Sequence, residues 1–209
     1  MEIEYFETVP STQLYAIDAL KNGHKSAPFL VWTRHQTHGI GSRGNSWIGH
    51  EGNLFLTFAL PKEQLVEDLP LTACAIYFSM LFKEALEDKS VWVKWPNDLY
   101  IESAKVGGVV TSIVGSTLVT GIGINTHTAP DFATALTMTQ SHEELLERFI
   151  ALLLSGRPWK RILNNFQIEF DKSRAFFANI DDKKVSMREA TVCEDGALMI
   201  NGQRIFSLR

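Results

Sequence analysis

The sequence predicts an α+β protein, and three observations predict it. Runs rich in β-branched and aromatic residues, at 28–33, 53–60, 91–101, 106–114 and 116–125, read as strands. Helical spacing of apolar residues appears instead at 14–20, 71–86, 141–154 and 159–170. From about residue 178 the pattern shortens to hairpin-sized strands parted by Asp195-Gly196 and Asn201-Gly202. The expected division is a main domain, 1–177, and a small C-terminal β domain, 178–209.

Composition sets the outer bounds. With 209 residues and 45% hydrophobic content, the chain can bury the core of one moderate domain with a small appendage. A net charge of −4, with no run of like charges, argues against general affinity for nucleic acid or anionic membranes. The start, Met1-Glu-Ile-Glu-Tyr5, has neither the basic nor the apolar part of a signal peptide. Apolar runs such as 149–154 are far too short to span a bilayer. The expectation is a soluble cytoplasmic protein. Cys74 and Cys193 show no paired spacing, and Cys74 sits in an apolar helical pattern as a core residue. The six histidines lack ligand-like spacing, so no zinc site is expected.

Taken in order, Ser11 or Thr12 is placed to cap the first helix, and Asn22-Gly23 to stop it. Hydroxyls that only cap are the alternative to hydroxyls that bind. After the strand at 28–33, Gly39-Ile-Gly-Ser-Arg-Gly44 matches G-x-G-x-x-G. A dinucleotide fingerprint needs a helix directly after that loop, and here Asn45-Ser-Trp47 leads into the strand at 53–60. The loop reads instead as a mobile flap carrying Arg43 and Trp47, or as a plain flexible connection. The segment 71–86 is apolar on most faces, hence a buried helix. Gly121 and Gly123 share one parity of the strand at 116–125, clearing a face for a flat ligand or another backbone, and Asn125 ends it. Ser141-His-Glu-Glu144 is a capping box for a helix stopped at Gly156. Trp159, Ile162, Leu163, Phe166 and Phe170 mark the last helix. Short strands follow at 184–189, 191–193, 197–200 and 204–208, too few to be stable without packing on the rest.

One stretch carries most of the chemistry. Val91-Trp-Val-Lys-Trp-Pro-Asn-Asp98 runs as a strand to Pro96, which cannot donate to a ladder and so marks its end. Lys94, Asn97 and Asp98, then Lys105 and the bare backbone of Gly107-Gly108, bring two ammonium groups, a carboxylate and an amide close in sequence. That set suits a polyanion with a hard cation such as Mg²⁺. A solvated hairpin with ordinary surface charges is the alternative. No Ser/His/Asp or Cys/His arrangement is evident.

Lys94-Trp-Pro-Asn-Asp-Leu-Tyr100, with Lys105 and Gly108, closely resembles the core motif of biotin protein ligases, and the similarity runs from about Thr8 to Arg209. The resemblance implies a class II synthetase-like, biotin/lipoate-ligase fold. That fold has a central mixed, largely antiparallel sheet packed with helices and a truncated SH3-like β appendage. It implies a ligase that activates biotin with ATP as biotinyl-5′-AMP and transfers it to a lysine of a biotin carboxyl carrier protein. Ser11, Thr12, Gln36, Gly39, Trp47, Lys105, Gly108 and Gly121 match its biotin site, with Lys105 meeting the carboxylate. Arg43, Trp47, Lys94, Asn125 and Arg209 match the nucleotide side; Asp98 matches the magnesium-side aspartate, and Lys105, Lys94 and Arg43 the catalytic cations.

Biotin, ATP and Mg²⁺ are then substrates, with no tightly bound prosthetic group. The expected partner is the carrier protein, with no nucleic acid and no membrane; a homodimer is left open. With so little chain before the motif, the form expected is one without a DNA-binding domain. The family's loop usually reads Gly-Arg-Gly-Arg; here Ile40 and Ser42 replace both arginines and Asn45 a following basic residue, leaving Arg43. Rivals are a lipoate ligase or octanoyltransferase, disfavoured by Trp-Pro-Asn-Asp, and a non-catalytic biotin or nucleotide sensor.

Overall fold

The computed structural model describes residues 1–180 and 183–206. Along the chain come β1 (Glu2–Phe6), α1 (Thr12–Lys21), β2 (Phe29–Thr33), β3 (Gly39–Ile40), β4 (Ser46–Trp47) and β5 (Leu54–Pro61). Next are α2 (Cys74–Leu86), β6 (Val91–Lys94), β7 (Asp98–Ile101), β8 (Ala104–Val114) and β9 (Thr117–Ile124). Then follow α3 (His142–Leu154), α4 (Trp159–Glu169), β10 (Phe177–Ile180), β11 (Lys183–Ser186), β12 (Thr191–Val192), β13 (Leu198–Ile200) and β14 (Gln203–Ile205). The fold is α+β. The chain forms two compact units, Met1–Leu65 with Ile101–Leu145, and Val66–Tyr100 with Leu146–Arg209. Among the described residues no helix is long and apolar enough to cross a membrane.

In the first unit the sheet runs β1-β2-β5-β9-β8. β1 pairs parallel with β2, and the other neighbours are antiparallel, so the sheet is mixed and largely antiparallel. β1 escaped the sequence reading because its side chains are mostly exposed on both faces. Glu2 and Glu4 on it both grip Lys25, at 2.6 and 2.9 Å, and these hydrogen bonds raise the Lys25 pKa.

Residues directly opposed across antiparallel strands share a face. Register therefore puts Val31, Thr57, Gly121 and Val110 in one row and Phe29, Ala59, Val119 and Ser112 in the next. α1 lies on this face, and Ala16 closes over Phe29, Val31, Ala59 and Val119 in a fully buried cluster. Each large apolar side chain buried this way contributes roughly 1.5–3 kcal/mol. Ser11 is the N-cap, its Oγ accepting from the Leu14 N–H at 3.4 Å. The helix ends at Asn22, with Gly23 at φ +70° beyond it. The far end of the same face is polar, and there the candidate site forms. The capping box before α3 is reciprocal: Glu144 N donates to Ser141 Oγ at 3.1 Å, and Ser141 N to Glu144 Oε2 at 2.7 Å.

The second unit is built on α2, whose residues are nearly all buried, as its apolar pattern requires. Its expected first turn is instead a 3-10 turn, Leu71–Ala73. α4 begins at Pro158, which has no side-chain cap to offer. Asp68 supplies one from afar, accepting from the N–H groups of Trp159 and Lys160 at 2.9 and 3.0 Å. Burial pushes the Asp68 carboxyl up, but those two bonds outweigh it and hold the pKa below its ordinary value.

The C-terminal strands belong to this unit. β10 pairs with β11, and β12-β13-β14 form an antiparallel sheet. β10 lies before the first strand expected in this region, and the last strands are shorter than expected; residues 207–208 of the final one lie outside the described residues. The turn before β13 is held by carbonyls: Trp95 Nε1 donates to Gly196 O at 3.0 Å, Thr72 Oγ1 to Asp195 O at 3.1 Å, and Trp159 Nε1 to Glu194 O at 2.7 Å. Gly196 has φ +78°, and a Cβ there would stand 3.0 Å from Ile76 and 3.1 Å from Ala73.

Candidate active site

The polar end of the first unit's sheet is assembled from three distant pieces of sequence. Ser11, Thr12 and Gln13 come from the start of α1, Gln36 from the segment after β2, and Thr57 from the middle of β5; all five are buried. Gln36 Oε1 accepts from Thr12 N at 2.7 Å and from Thr12 Oγ1 at 3.0 Å. Thr57 Oγ1 reaches Thr12 Oγ1 at 2.9 Å and Gln13 Oε1 at 3.3 Å. Gln13 Nε2 donates to Val119 O at 3.3 Å and to Ser112 Oγ at 3.4 Å. Thr12 and Gln36 were expected here from the sequence; Gln13 and Thr57 were not.

The glycines explain themselves by what fills their missing side chains. A Cβ on Gly39 would lie 2.8 Å from Trp47 O and 3.0 Å from Gln36 Nε2, so a side chain there would crowd both. A Cβ on Gly123 would lie 3.0 Å from the Trp47 indole, which rests against that strand. At Gly121 the space is taken by the chain itself, with Gln13 Oε1 2.6 Å from an added Cβ. Gly121 thus seats a buried amide, where the sequence had suggested a flat ligand or a second backbone. Gly108 pairs directly opposite Gly123, leaving that part of the sheet face without side chains.

The glycine-rich loop is not open. β3 and β4 pair as a miniature hairpin, and its tip, Ser42–Gly44, is a 3-10 turn. The residues standing where the family's basic ones are expected help to close it: Asn45 Nδ2 donates to Ser42 O at 3.0 Å, and Gly41 N to Asn45 O at 2.7 Å. The Arg43 backbone belongs to this turn, and its side chain lies outside what is described.

Lys105, at the start of β8, holds its Nζ 5.2 Å from the centre of the Trp47 ring, a cation–π contact. Its carbonyl accepts from Thr134 N at 2.9 Å, tying the segment after β9 to this strand. That segment is organised by two asparagines. Asn53 Oδ1 accepts the N–H groups of Thr126, His127 and Thr128 at 3.0, 2.9 and 3.2 Å. Asn125, also buried, donates through Nδ2 to Thr134 O at 3.2 Å. In this structure the Asn125 amide therefore supports the loop beside Lys105. Behind it, Thr126 Oγ1 meets His142 Nε2 at 2.8 Å; burial, and secondarily the Arg34 cation, lower the His142 pKa.

Lys94 and Asp98 belong to the second unit, at the end of β6 and the start of β7. The Lys94 ammonium sits 5.3 Å from the Tyr100 ring and 5.6 Å from that of Phe176. Trp92 joins the same aromatic group, with centroids 5.4 and 5.6 Å from Tyr100 and Phe176. Burial, with Asp98 adding to it, pushes the Tyr100 pKa up to about 12. The strand backbone is pinned by Glu169, which pairs with Lys83 and accepts the Val93 N–H. Ser173 Oγ accepts the Trp95 N–H at 3.3 Å. Among the described residues no three His, Cys, Asp or Glu side chains form a metal cage. Arg209 lies outside the described residues.

Neutral donors and acceptors thus gather beside an indole and an ammonium on a mixed sheet. That architecture has relatives. The chain belongs to the biotin/lipoate A/B protein ligase family, whose model matches residues 5–128. It is similar to the biotin acetyl coenzyme A carboxylase synthetase of Helicobacter pylori, solved with bound biotinylated ATP. The TM-score is 0.93 and the identity 35%, covering 99% of this chain and 100% of that one. It is 32% identical over 126 residues to the bifunctional ligase/repressor BirA of Escherichia coli K12, covering 56% of this chain and 38% of BirA. The fold is shared with the biotin protein ligase of Aquifex aeolicus in complex with biotin and ATP, at TM-score 0.76 and 22% identity, covering 100% of this chain and 96% of that one. The chain spans less than half the length of the curated relatives it matches.

Proposed function

We propose that this chain is an ATP-dependent ligase that activates biotin as its acyl-adenylate and transfers it to a lysine of a carboxyl-carrier protein. The reading is carried by one observation: Thr12 bonds to Gln36, and close by the Trp47 indole rests against Gly123 with the Lys105 ammonium over it. Neutral groups suit an uncharged ureido ring, and the lysine suits its carboxylate. The relatives reported above support it through the biotin and ATP in their own complexes.

In the first step a biotin carboxylate oxygen attacks the α-phosphorus of ATP, and the bond to pyrophosphate breaks. Two anions must approach each other, so cations are required. A lysine ~4 Å from a phosphate oxygen contributes roughly 4 kcal/mol at an effective dielectric near 20. Lys105 is assigned to the reacting carboxylate and phosphate. Lys94 and Asp98 keep the roles of phosphate lysine and magnesium-side aspartate. A single carboxylate suits a magnesium ion that arrives with phosphate and water ligands. Arg43, Asn125 and Arg209 are assigned to the nucleotide side, Asn125 through the loop it holds. In the second step the carrier lysine, as free amine, attacks the mixed anhydride; AMP leaves with the bonding electrons and the amide nitrogen loses its proton.

The test is transfer of labelled biotin to a carboxyl-carrier domain with and without ATP. Transfer only with ATP is expected. Transfer of lipoate or octanoate in place of biotin would move the chain to the other branch of the family, and no adenylate in a single turnover would leave a sensor.

A further inference from the structure

Three consecutive residues, Val93, Lys94 and Trp95, are each held by one stretch of chain, 169–176. Glu169, the last residue of α4, accepts the Val93 N–H. Ser173 Oγ accepts the Trp95 N–H at 3.3 Å. Between these two backbone grips Lys94 is held by its side chain. Its ammonium lies 5.6 Å from the ring of Phe176, on that same stretch, and 5.3 Å from the ring of Tyr100. The two rings stand at 77° with centroids 5.4 Å apart, and Trp92 packs against both. Phe176 is itself fixed through its backbone: its N–H donates to Ser173 O at 3.0 Å, and its carbonyl accepts from Met187 N at 3.1 Å.

A lysine stem has several rotors, and ordering them costs entropy when an anion arrives. A carboxylate could order the stem beforehand, at the expense of cancelling part of the charge the anion needs. An aromatic face attracts an ammonium through its quadrupole and leaves that charge intact. We propose that Phe176 is a positioning residue for Lys94, its ring, with Tyr100, keeping the ammonium where the ATP phosphates are to be met. This deepens the ligase reading and rests on its assignment of Lys94 to phosphate. The effect belongs to ATP and not to biotin, whose proposed partners Thr12, Gln36 and Lys105 are in the other unit.

The experiment places phenylalanine carrying one, two or three ring fluorines at position 176 alone, in the full chain, beside Phe176→Leu and Lys94→Ala. Fluorine drains the negative face of the ring while nearly keeping its shape, so the series stays informative even if the leucine variant does not fold. Pyrophosphate exchange at saturating biotin gives kcat/KM for ATP, and calorimetry gives biotin affinity without ATP. The efficiency with ATP should fall stepwise with each fluorine, to about fivefold below wild type at three, the worth of one cation–π contact. Phe176→Leu should match the trifluoro ring, and biotin affinity should stay constant throughout. A flat response across the fluorinated series would mean that the ring only packs, and would overturn the proposal. An efficiency that rises with fluorine, or a parallel loss of biotin affinity, would overturn it too. Wild-type efficiency in Lys94→Ala would overturn the assignment of Lys94, and a wild type that forms no adenylate the ligase reading itself; either would take this inference with it.

Discussion

The two chemically loaded regions are held in opposite ways. Around Thr12 and Gln36 the functional atoms are themselves the mutual hydrogen-bond partners, all neutral and buried. At Lys94 and Asp98 the anchoring falls on the backbone, through Glu169 and Ser173, and on aromatic rings against the lysine. The difference fits the ligand proposed for each. A neutral ring is recognised by direction, so direction must be fixed before it arrives. An anion is recognised by charge, which tolerates a flexible stem as long as the strand beneath it does not move.

The largest effect is expected where the two styles meet in one residue. Lys105→Ala should slow adenylate formation by roughly 10²–10³, as for loss of one preorganised charge, without loss of fold. Pyrophosphate exchange measures it, and a wild-type rate would remove Lys105 from the chemistry. In the second unit Glu169→Ala should cost about 3 kcal/mol, since the partly buried Lys83 loses its counter-ion and Val93 N–H its acceptor. A change under about 1 kcal/mol by urea unfolding would show that the strand is anchored otherwise.

The glycines sharpen the contrast inside the first unit. Gly121→Ala should cost about 1–3 kcal/mol of stability, because its Cβ meets Gln13 on a fixed helix. Gly123→Ala meets an indole that can yield, so it should spare stability and weaken biotin binding instead. Thermal unfolding and calorimetry on the pair separate the two; equal stability losses would make both glycines packing residues.

The smallest effect concerns pH. The His142 pKa is lowered in the fold, from an ordinary 6.5, so the unfolded chain takes up its proton first as pH falls. Stability from this group is full above about 6.5 and is lost as pH drops toward the folded value. His142→Gln should flatten the stability profile below about pH 6.5; an unchanged slope would mean that other groups set it.

Much of this was legible before the structure. β7 falls on Asp98–Ile101 as Pro96 and the alternation require, and α1 has the cap and stop that Ser11 and Asn22-Gly23 announce. What was hidden has a common cause. Thr57 interrupts an apolar strand and reads as noise, because its partner Thr12 is 45 residues away. Asn53 and Gln13 look like turn and helix-surface residues until the fold brings the 126–128 backbone against Asn53 and Gly121 beneath Gln13. β1 is short with mostly exposed side chains, and β10 is only four residues long, so neither repeats a burial pattern long enough to read. Fold follows from patterns that repeat locally; a polar site is written in single residues that only topology brings together.

The docked Asp195-Gly196 turn has a consequence for how the chain matures on the ribosome. The first unit has all its residues once position 145 has emerged, whereas the second needs both 66–100 and everything from 146 on. Until residues 194–196 appear, the indole N–H groups of Trp95 and Trp159 and the hydroxyl of Thr72 lack the carbonyls that finally receive them. At typical elongation speeds that lag is on the order of several seconds. The unit bearing Lys94 is thus completed last, so a nascent or truncated chain would present the Thr12–Gln36 cluster well before the Lys94 strand has its final supports.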